Sequence, residues 1–463
     1  MHTIRRAVQA LQRYPSAHPS RYTMDVLALL TSRGTAQALT ILVGLLLVRV
    51  MAAPVFGAYS LATTTIGLAG VIADFGLDPI LTRDIAAQRE SALPLLRRAI
   101  AIRIVLGAAI TAALVGLALL IPTPGRPDLL LIGGLGLIPR GIMRAIAAAL
   151  TGVGHVREAA RLEGYTALLT ALLTVLLIAG SAALPGDHAA AAIGALGLGG
   201  LAGMALAARH IAIMPLPGTQ ESSPAPTIAG LLVAALPFLI LGLSGAMFQS
   251  LDVYVVREFY WRPGDTDVVA LFSAPYRIVY AILLVPAAWG VVALPRYVRY
   301  ARRPAILTLA LRRDLWRGLG MGLALSGACV ALADPLTRIA LGEHYLPGVP
   351  ILIVLSLMAL VVCPSTPLIA LLTATGHQAR ITLCVLFAGG LALAANLLIG
   401  LAAPLASPTL DDLVGRLVVV ALIKTLATGL LFGFHLLTLP RPPLRAGRLA
   451  LAARAHRGPT LTR

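Results

Sequence analysis

Acidic residues, lysine and cysteine are all scarce in this chain. It holds 19 acidic residues against 37 basic ones, and among the basic ones Lys424 is the sole lysine. The three cysteines, Cys329, Cys363 and Cys384, have neither metal-ligand spacing nor a disulfide framework, and read as apolar filler. Charged residues amount to only 12% of the 463, whereas 58% are hydrophobic. A soluble chain of this length would form several domains with charged surfaces, so that class is excluded. Also lacking are a Walker lysine loop, an HExxH helix and a GxSxG elbow, the sequence signs of ATP hydrolysis, zinc hydrolysis and serine hydrolysis. His155, His344 and His377 read as isolated loop residues, and the loops are too short for an appended catalytic domain. No catalytic residue, metal or cofactor is expected.

What is present instead is apolar sequence, almost end to end. The runs are close to the roughly 20 residues that cross a hydrocarbon core of about 30 Å. Twelve spans are predicted, at 25–48, 56–77, 97–121, 128–151, 162–183, 188–209, 228–256, 268–294, 314–334, 348–374, 379–401 and 412–438. The fold class is therefore all-α polytopic membrane protein. Residues 1–24 lack the apolar core and cleavage site of a signal peptide, so the first span is expected to remain as an anchor.

The net charge of +18 follows topology. With a cytoplasmic amino terminus, most arginines outside the spans fall on cytoplasmic segments, including Arg5, Arg6, Arg97, Arg98, Arg302, Arg303, Arg312, Arg313 and those of the tail. The opposite loops hold little beyond Arg126, Arg257, Arg262 and Arg338. This positive-inside bias puts both termini in the cytoplasm and the basic segments against anionic lipid. Nucleic acid is excluded as a partner, since no folded module or aromatic-interleaved basic patch occurs.

The spans divide at 210–227, a Pro/Ser/Gly-rich stretch read as a cytoplasmic linker. The expected plan is a cytoplasmic segment 1–24, a six-helix lobe 25–209, the linker 210–227, a second six-helix lobe 228–438 and a basic tail 439–463. An even number of spans per half makes the repeat parallel, with a cavity between the lobes and alternating access by rocking. Basic amphipathic stretches after the second and eighth spans predict short interfacial helices. Pro237, Pro275, Pro286, Pro364 and Pro367 lie inside spans and predict kinks. Gly194, Gly197, Gly200 and Gly203 predict close helix contact in the sixth span.

The cations embedded in the spans carry the functional signal: Arg33, Arg103, Arg140, Arg144, Arg277 and Lys424. Each costs about 2.5–3.5 kcal/mol near the bilayer centre even on the lenient insertion scale, and is tolerated facing a watery cavity or a partner charge. So many bases with so few acids imply a cavity for an anion. Arg140 and Arg144 are four apart on one helix face, and guanidinium forks match phosphate oxygens. Candidate substrate contacts are Arg33, Arg140, Arg144 and Arg277. Candidate charge partners are Asp74, read against Arg33, and Asp252, read against Arg277. Asp412 and Arg416 have the spacing of a surface helix pair. Arg103 is read as snorkelling, and Lys424 either as an ion or proton site or as paired with a carbonyl.

Several segments resemble polysaccharide (O-antigen type) flippases. LLLVRVMAAPVFGAYSLATTTIGLAGVIADFGLDPILTRDIA (45–86) is similar to that family's opening helices, with PxxFGxYS and ADFGL followed by an arginine. QSLDVYVV (249–256), LFSAPYRIVYAILLVPAAW (271–289), LPRYVR (294–299), GEHYLPGVPILIVLSLMAL (342–360) and ANLLIG (395–400) resemble its second lobe. REFYWRPGDTDVV (257–269) departs from the pattern, being longer and more polar, which loosens the registration of the seventh and eighth helices. The resemblance implies a member of the multidrug/oligosaccharidyl-lipid/polysaccharide (MOP) exporter superfamily with a MATE-like, two-lobed fold. It further implies a monomeric flippase of the bacterial cytoplasmic membrane, moving undecaprenyl-pyrophosphate-linked oligosaccharide for surface polysaccharide or lipopolysaccharide. Polysaccharide-assembly proteins are the partners it would imply. By similarity to lipid II flippases, arginines in the first and eighth helices, here Arg33 and Arg277, would contact the substrate. The rival readings are a cation-coupled drug extruder of the same fold and a membrane glycan polymerase or ligase.

Overall fold

In the computed structural model the described residues are 19–120, 126–183, 187–213, 227–260, 268–300, 304–402 and 409–437. Most of the amino-terminal segment 1–24, most of the linker 210–227 and the tail 439–463 lie outside them, as does the side chain of Arg33. The described chain is helical throughout, with no strand. The helices are α1 (Pro19–Val50), α2 (Ala53–Asp74), α3 (Leu77–Ala87), α4 (Ala92–Leu120), α5 (Pro127–Leu135), α6 (Leu137–Val153), α7 (Val156–Ala183) and α8 (His188–Ile213). They continue with α9 (Ile228–Tyr260), α10 (Val268–Tyr300), α11 (Pro304–Ala331), α12 (Ala333–Leu336), α13 (Val349–Ser356), α14 (Met358–Ala374), α15 (Gln378–Ala402) and α16 (Leu410–Leu437).

Among the described residues ten helical stretches are long and apolar enough to cross a membrane, and an eleventh counts if the bent pair Ile306–Ala331 and Ala333–Leu341 is one span. Gly34–Val50, the apolar part of α1, is a shorter apolar helix. Each of the twelve predicted runs therefore falls on a helix or a broken pair of helices. The breaks do not fall at the prolines. They lie at Gly136, between α5 and α6, at Leu332, where the pair bends by 75°, and at Leu357, between α13 and α14. Pro237, Pro364 and Pro367 sit inside continuous helices.

Spans alternate in direction, so one end of the bundle collects Arg83, Arg97, Arg98, Arg312 and Arg313, and is called here the basic end. The interfacial helix expected after the second span is α3, with Leu77, Ile80, Leu81 and Ile85 buried beneath Arg83. Its counterpart after the eighth span is absent as a separate helix: α10 runs on to Tyr300 and α11 starts at Pro304. There Arg296 and Tyr297 of α10 both bond the buried Asp314 of α11, so the basic stretch serves as a helix-helix contact.

Of the glycines expected to close helix contacts, Gly203 lies against Thr166 of α7 and Gly200 against the backbone of Arg140, whereas Gly194 faces open space. At the opposite end Asp187 caps α8, accepting from the N–H groups of Ala189 (2.9 Å) and Ala190 (3.4 Å), and also bonds Arg126. Burial pushes this carboxyl up, but Arg126 and the two N–H groups outweigh it and hold the pKa below the ordinary value.

Helices α1 and α2 pack on α10, and α2 and α3 pack on α9, which joins the two halves of the chain. The largest buried cluster spans that junction near the opposite end, running from Leu47, Met51 and Phe56 to Val256, Phe272 and Leu352. A bond from Arg49 to the carbonyl of Ile339 joins the halves in the same region. Towards the basic end lie two further clusters, one around Ile80, Leu95 and Ile146 that takes in Leu231 and Ala235 of α9, and another around Tyr297 and Leu371.

The turn between α2 and α3 carries two consecutive left-handed residues, Phe75 (φ 49°) and Gly76 (φ 67°). A Cβ on Gly76 would stand 2.6 Å from the backbone nitrogen of Leu239 in α9. Gly76→Ala is therefore expected to destabilise the fold by about 1–3 kcal/mol, since backbone must shift to admit it. The check is a lowered unfolding midpoint of the detergent-solubilised protein; an unchanged midpoint would mean that the α3–α9 contact gives way freely.

Candidate functional site

Three cavities follow one another between the helices, linked by shared residues. The first, of about 90 Å³, is lined by Asp74, Arg103, Arg140 and Arg144. The second, of about 380 Å³, is lined by Thr40, Gly44, Tyr59, Thr63, Arg140, Thr170 and Arg277. The third, of about 230 Å³, is lined by Ser60, Thr63, Thr64, Gln249, Ser250, Ser273, Tyr276, Arg277 and Tyr280. Arg140 belongs to the first two and Arg277 to the last two. The elements that supply them are α1, α2, α4, α6, α7 and α8 from the first half and α9 and α10 from the second.

In the first cavity Arg103 and Arg144 are neutralised from within. Arg144 bonds both Asp74 and Asp78, the latter at 2.6 Å, and Arg103 bonds Asp78 and lies 3.6 Å from Asp74. Two carboxylates and two guanidinia thus close a four-membered network. It bridges α2, α3, α4 and α6 across the left-handed turn. Arg103 also donates to the carbonyl of Gly141, and at 2% exposure it is among the most deeply buried side chains. The expected snorkelling of Arg103 is therefore corrected. The side chain turns inward because Asp74 and Asp78 offer a stronger partner than the interface does. The expected pairing of Asp74 with Arg33 falls on a side chain outside the described residues; among those described, Asp74 meets Arg103 and Arg144.

Arg140 and Arg277 differ from that pair. Among the described residues neither guanidinium has an ion-pair or hydrogen-bond partner. Arg277 lies 5.8 Å from the centre of the Phe56 ring, and passes beside Gly44 of α1, where an added Cβ would be 3.3 Å from its Cδ. A small residue at position 44 is what gives this long side chain its room. The Tyr59 hydroxyl, on the wall of the same cavity, has no hydrogen-bond partner among the described residues either.

Asp252 was expected to meet Arg277 and does not. Its carboxylate pairs with Lys424 at 2.8 Å and accepts from the Tyr276 hydroxyl at 3.1 Å. Consecutive residues of a helix point about 100° apart, so Tyr276 turned to Asp252 sends Arg277 away from it, towards α1. The Lys424 ammonium also donates to the carbonyl of Phe248 and sits 4.3 Å from that ring's centre, with both charged groups only 3% exposed. The carbonyl alternative for Lys424 is thus present together with a carboxylate. Asp412 accepts from the backbone N–H and the hydroxyl of Thr409, closing the start of α16, the helix that also carries Arg416.

Sequence reasoning missed Asp78, which lies four residues after Asp74 but beyond a helix break, and Tyr59, whose hydroxyl reads as ordinary core. The arrangement as a whole does one thing plainly. Four guanidinia are answered by two carboxylates, which leaves Arg140 and Arg277 with uncompensated charge in one polar cavity. Among the described residues no group of three or more His, Cys, Asp or Glu side chains is placed to hold a metal.

A family model described as polysaccharide biosynthesis protein matches residues 23–301. No curated protein is significantly similar in sequence. Solved structures are similar in fold. An inward-facing multidrug resistance MATE family transporter of the MOP superfamily superposes with a TM-score of 0.65 at 14% identity, covering 93% of this chain and 96% of the other. A MOP superfamily transporter from Pyrococcus furiosus, described as having a binding pocket of reverse polarity, gives 0.62 at 13% identity over 89% and 95%. A eukaryotic MATE transporter gives 0.59 at 11% identity over 94% and 99%. The chain belongs to the polysaccharide biosynthesis protein family, and is a multi-pass membrane protein built on the MATE-type fold of MOP superfamily transporters.

Proposed function

We propose that this protein is a flippase that moves undecaprenyl-pyrophosphate-linked oligosaccharide across the bacterial cytoplasmic membrane by alternating access. The observation that carries the reading is the pair Arg140 and Arg277, two guanidinia without ion partners among the described residues, facing one cavity of about 380 Å³. A pyrophosphate esterified at both ends has one ionised oxygen on each phosphorus, hence two negative charges. It matches two uncompensated guanidinia in number and in fork geometry. The Tyr59 hydroxyl supplies a third donor, and the polyprenyl chain stays in lipid. The protein contributes binding and movement and performs no bond chemistry, so the reading is of a transporter and not an enzyme.

In this reading residues 25–209 and 228–438 are the two rocking lobes, joined by the 210–227 linker, with both termini and the basic end in the cytoplasm. Basic segments would rest on anionic lipid, and a monomer suffices. A drug extruder for cationic compounds fits less well. It needs an embedded carboxylate free to bind, whereas Asp74 and Asp252 are each held by the protein's own cations.

The test is reconstitution. Vesicles holding the purified protein and a fluorescent undecaprenyl-pyrophosphoryl saccharide should expose the inner-leaflet pool to an external glycan-modifying enzyme, and protein-free vesicles should not. Equal exposure in both would sink the proposal.

A further inference from the structure

The two acids of the charge network are not equally occupied. Both oxygens of Asp78 are bonded, Oδ1 by Arg103 and Oδ2 by Arg144. Asp74 bonds Arg144 through Oδ2, while its Oδ1 lies 3.6 Å from Arg103 and accepts no hydrogen bond among the described residues. The acids also differ in what they face. Asp74 lines the cavity of about 90 Å³ together with Arg140, whereas Asp78 is not part of that wall.

Arg140 lies four residues before Arg144 in α6, so it stands about 6 Å further from the basic end on the same helix face. Arg144 grips Asp74, and Arg140 comes next along that face without a partner among the described residues. Arg140 is also the residue that the first two cavities share. Its guanidinium thus has an unused carboxylate oxygen in one cavity and, in the other, the space proposed for the pyrophosphate. A cation left alone inside a span is costly. Two alternative partners lift that cost in both states of a transporter: the cargo phosphate when it is loaded, and Asp74 when it is empty. Neutralising Arg103 and Arg144 does not call for the second oxygen of Asp74, since Asp78 already bonds both.

We propose that Asp74 is a tethered counter-ion, competing with the cargo phosphate for Arg140 and thereby setting how readily the cargo leaves. This rests on the flippase reading and goes beyond it, giving an acid beside the anion cavity a part in release. An acid that only stabilised the fold would leave cargo affinity alone. A competing one has the opposite signature: removing it tightens binding.

The experiment measures binding of undecaprenyl pyrophosphate to the purified full chain in nanodiscs, and its flipping in vesicles. Asp74→Asn should bind about tenfold more tightly than wild type, the lower end of what a bond to a charged group contributes. It should also flip more slowly, because release becomes limiting. Asp78→Asn, which takes the same charge from the network, should leave the affinity unchanged. Asp74→Glu keeps the charge that Arg103 and Arg144 need and is one methylene longer, so it can meet Arg140 and should bind more weakly. If Asp74→Asn does not fold, this variant decides. In an Arg140→Ala background neither change at position 74 should move the affinity. Wild-type or weaker binding by Asp74→Asn would overturn the proposal, as would equal tightening by Asp78→Asn or a tightening that survives in Arg140→Ala. For Asp74→Glu the overturning result is wild-type or tighter binding. Binding by no form of the protein would overturn the flippase reading as well.

Discussion

Replacing Arg140 and Arg277 together by alanine should abolish glycan export without harming the fold. A hydrogen bond to a charged group contributes about 1.5–3 kcal/mol, so each arginine removed should weaken pyrophosphate binding by roughly 10- to 100-fold, and both together by roughly 10²- to 10⁴-fold. Arg277→Lys should fall between, keeping the charge and losing the fork. The sign of the stability change is the stronger diagnostic. A guanidinium with no ion partner is a burden near the bilayer centre, so the alanine variants should unfold at or above the wild-type temperature. Arg144→Ala should do the opposite, because it strips Asp74 and Asp78 of a shared partner. Complementation of a flippase-deleted host, alongside unfolding midpoints of the purified variants, reads both effects. Normal export by the double variant would end the cationic-cavity model.

The spans were legible in the sequence because a membrane imposes a length on each apolar run. The family was legible in PVFGAYS and ADFGL at the ends of the second span. Arg140 and Arg277 were legible as embedded cations, since that placement is energetically abnormal wherever the helices point. The partners were not. That Asp74 meets Arg103 and Arg144, and that Asp252 meets Lys424 and not Arg277, depends on helix rotation and on which spans are neighbours. Nothing in a linear pattern of hydrophobic residues records either. Arg103 shows the same limit: two turns from the basic edge it reads as a snorkelling residue, and only the folding back of α3 places Asp78 over it. The spare oxygen of Asp74 was invisible for a different reason. An aspartate in a span reads as half of an ion pair until its bonds are counted, and the bond missing at Oδ1 is a property of the packed helices.

The pair Asp252–Lys424 supplies the second large effect, because it links α9 to α16 with almost no access to solvent. Lys424→Met should cost about 3–5 kcal/mol of stability, since it leaves a buried carboxylate with only the Tyr276 hydroxyl to satisfy it. Asp252→Asn should cost a similar amount, stranding the ammonium against the Phe248 carbonyl. Combining the two removes both charges, and neutral replacement of a whole buried pair is often close to harmless. The double variant is therefore expected to be more stable than either single one, a non-additivity that unfolding in detergent would measure. Additive losses would show that the two groups do not act as a unit. The same double variant also decides what Lys424 is for. Tyr276 is held by Asp252 and precedes Arg277 on α10, so a pair whose task is to fix the rotation of that helix becomes dispensable if the amide oxygen introduced by Asp252→Asn still accepts from Tyr276. Export by the folded double variant is the expected result. A folded double variant without export would instead assign the ammonium to ion or proton coupling, a role that packing alone does not require.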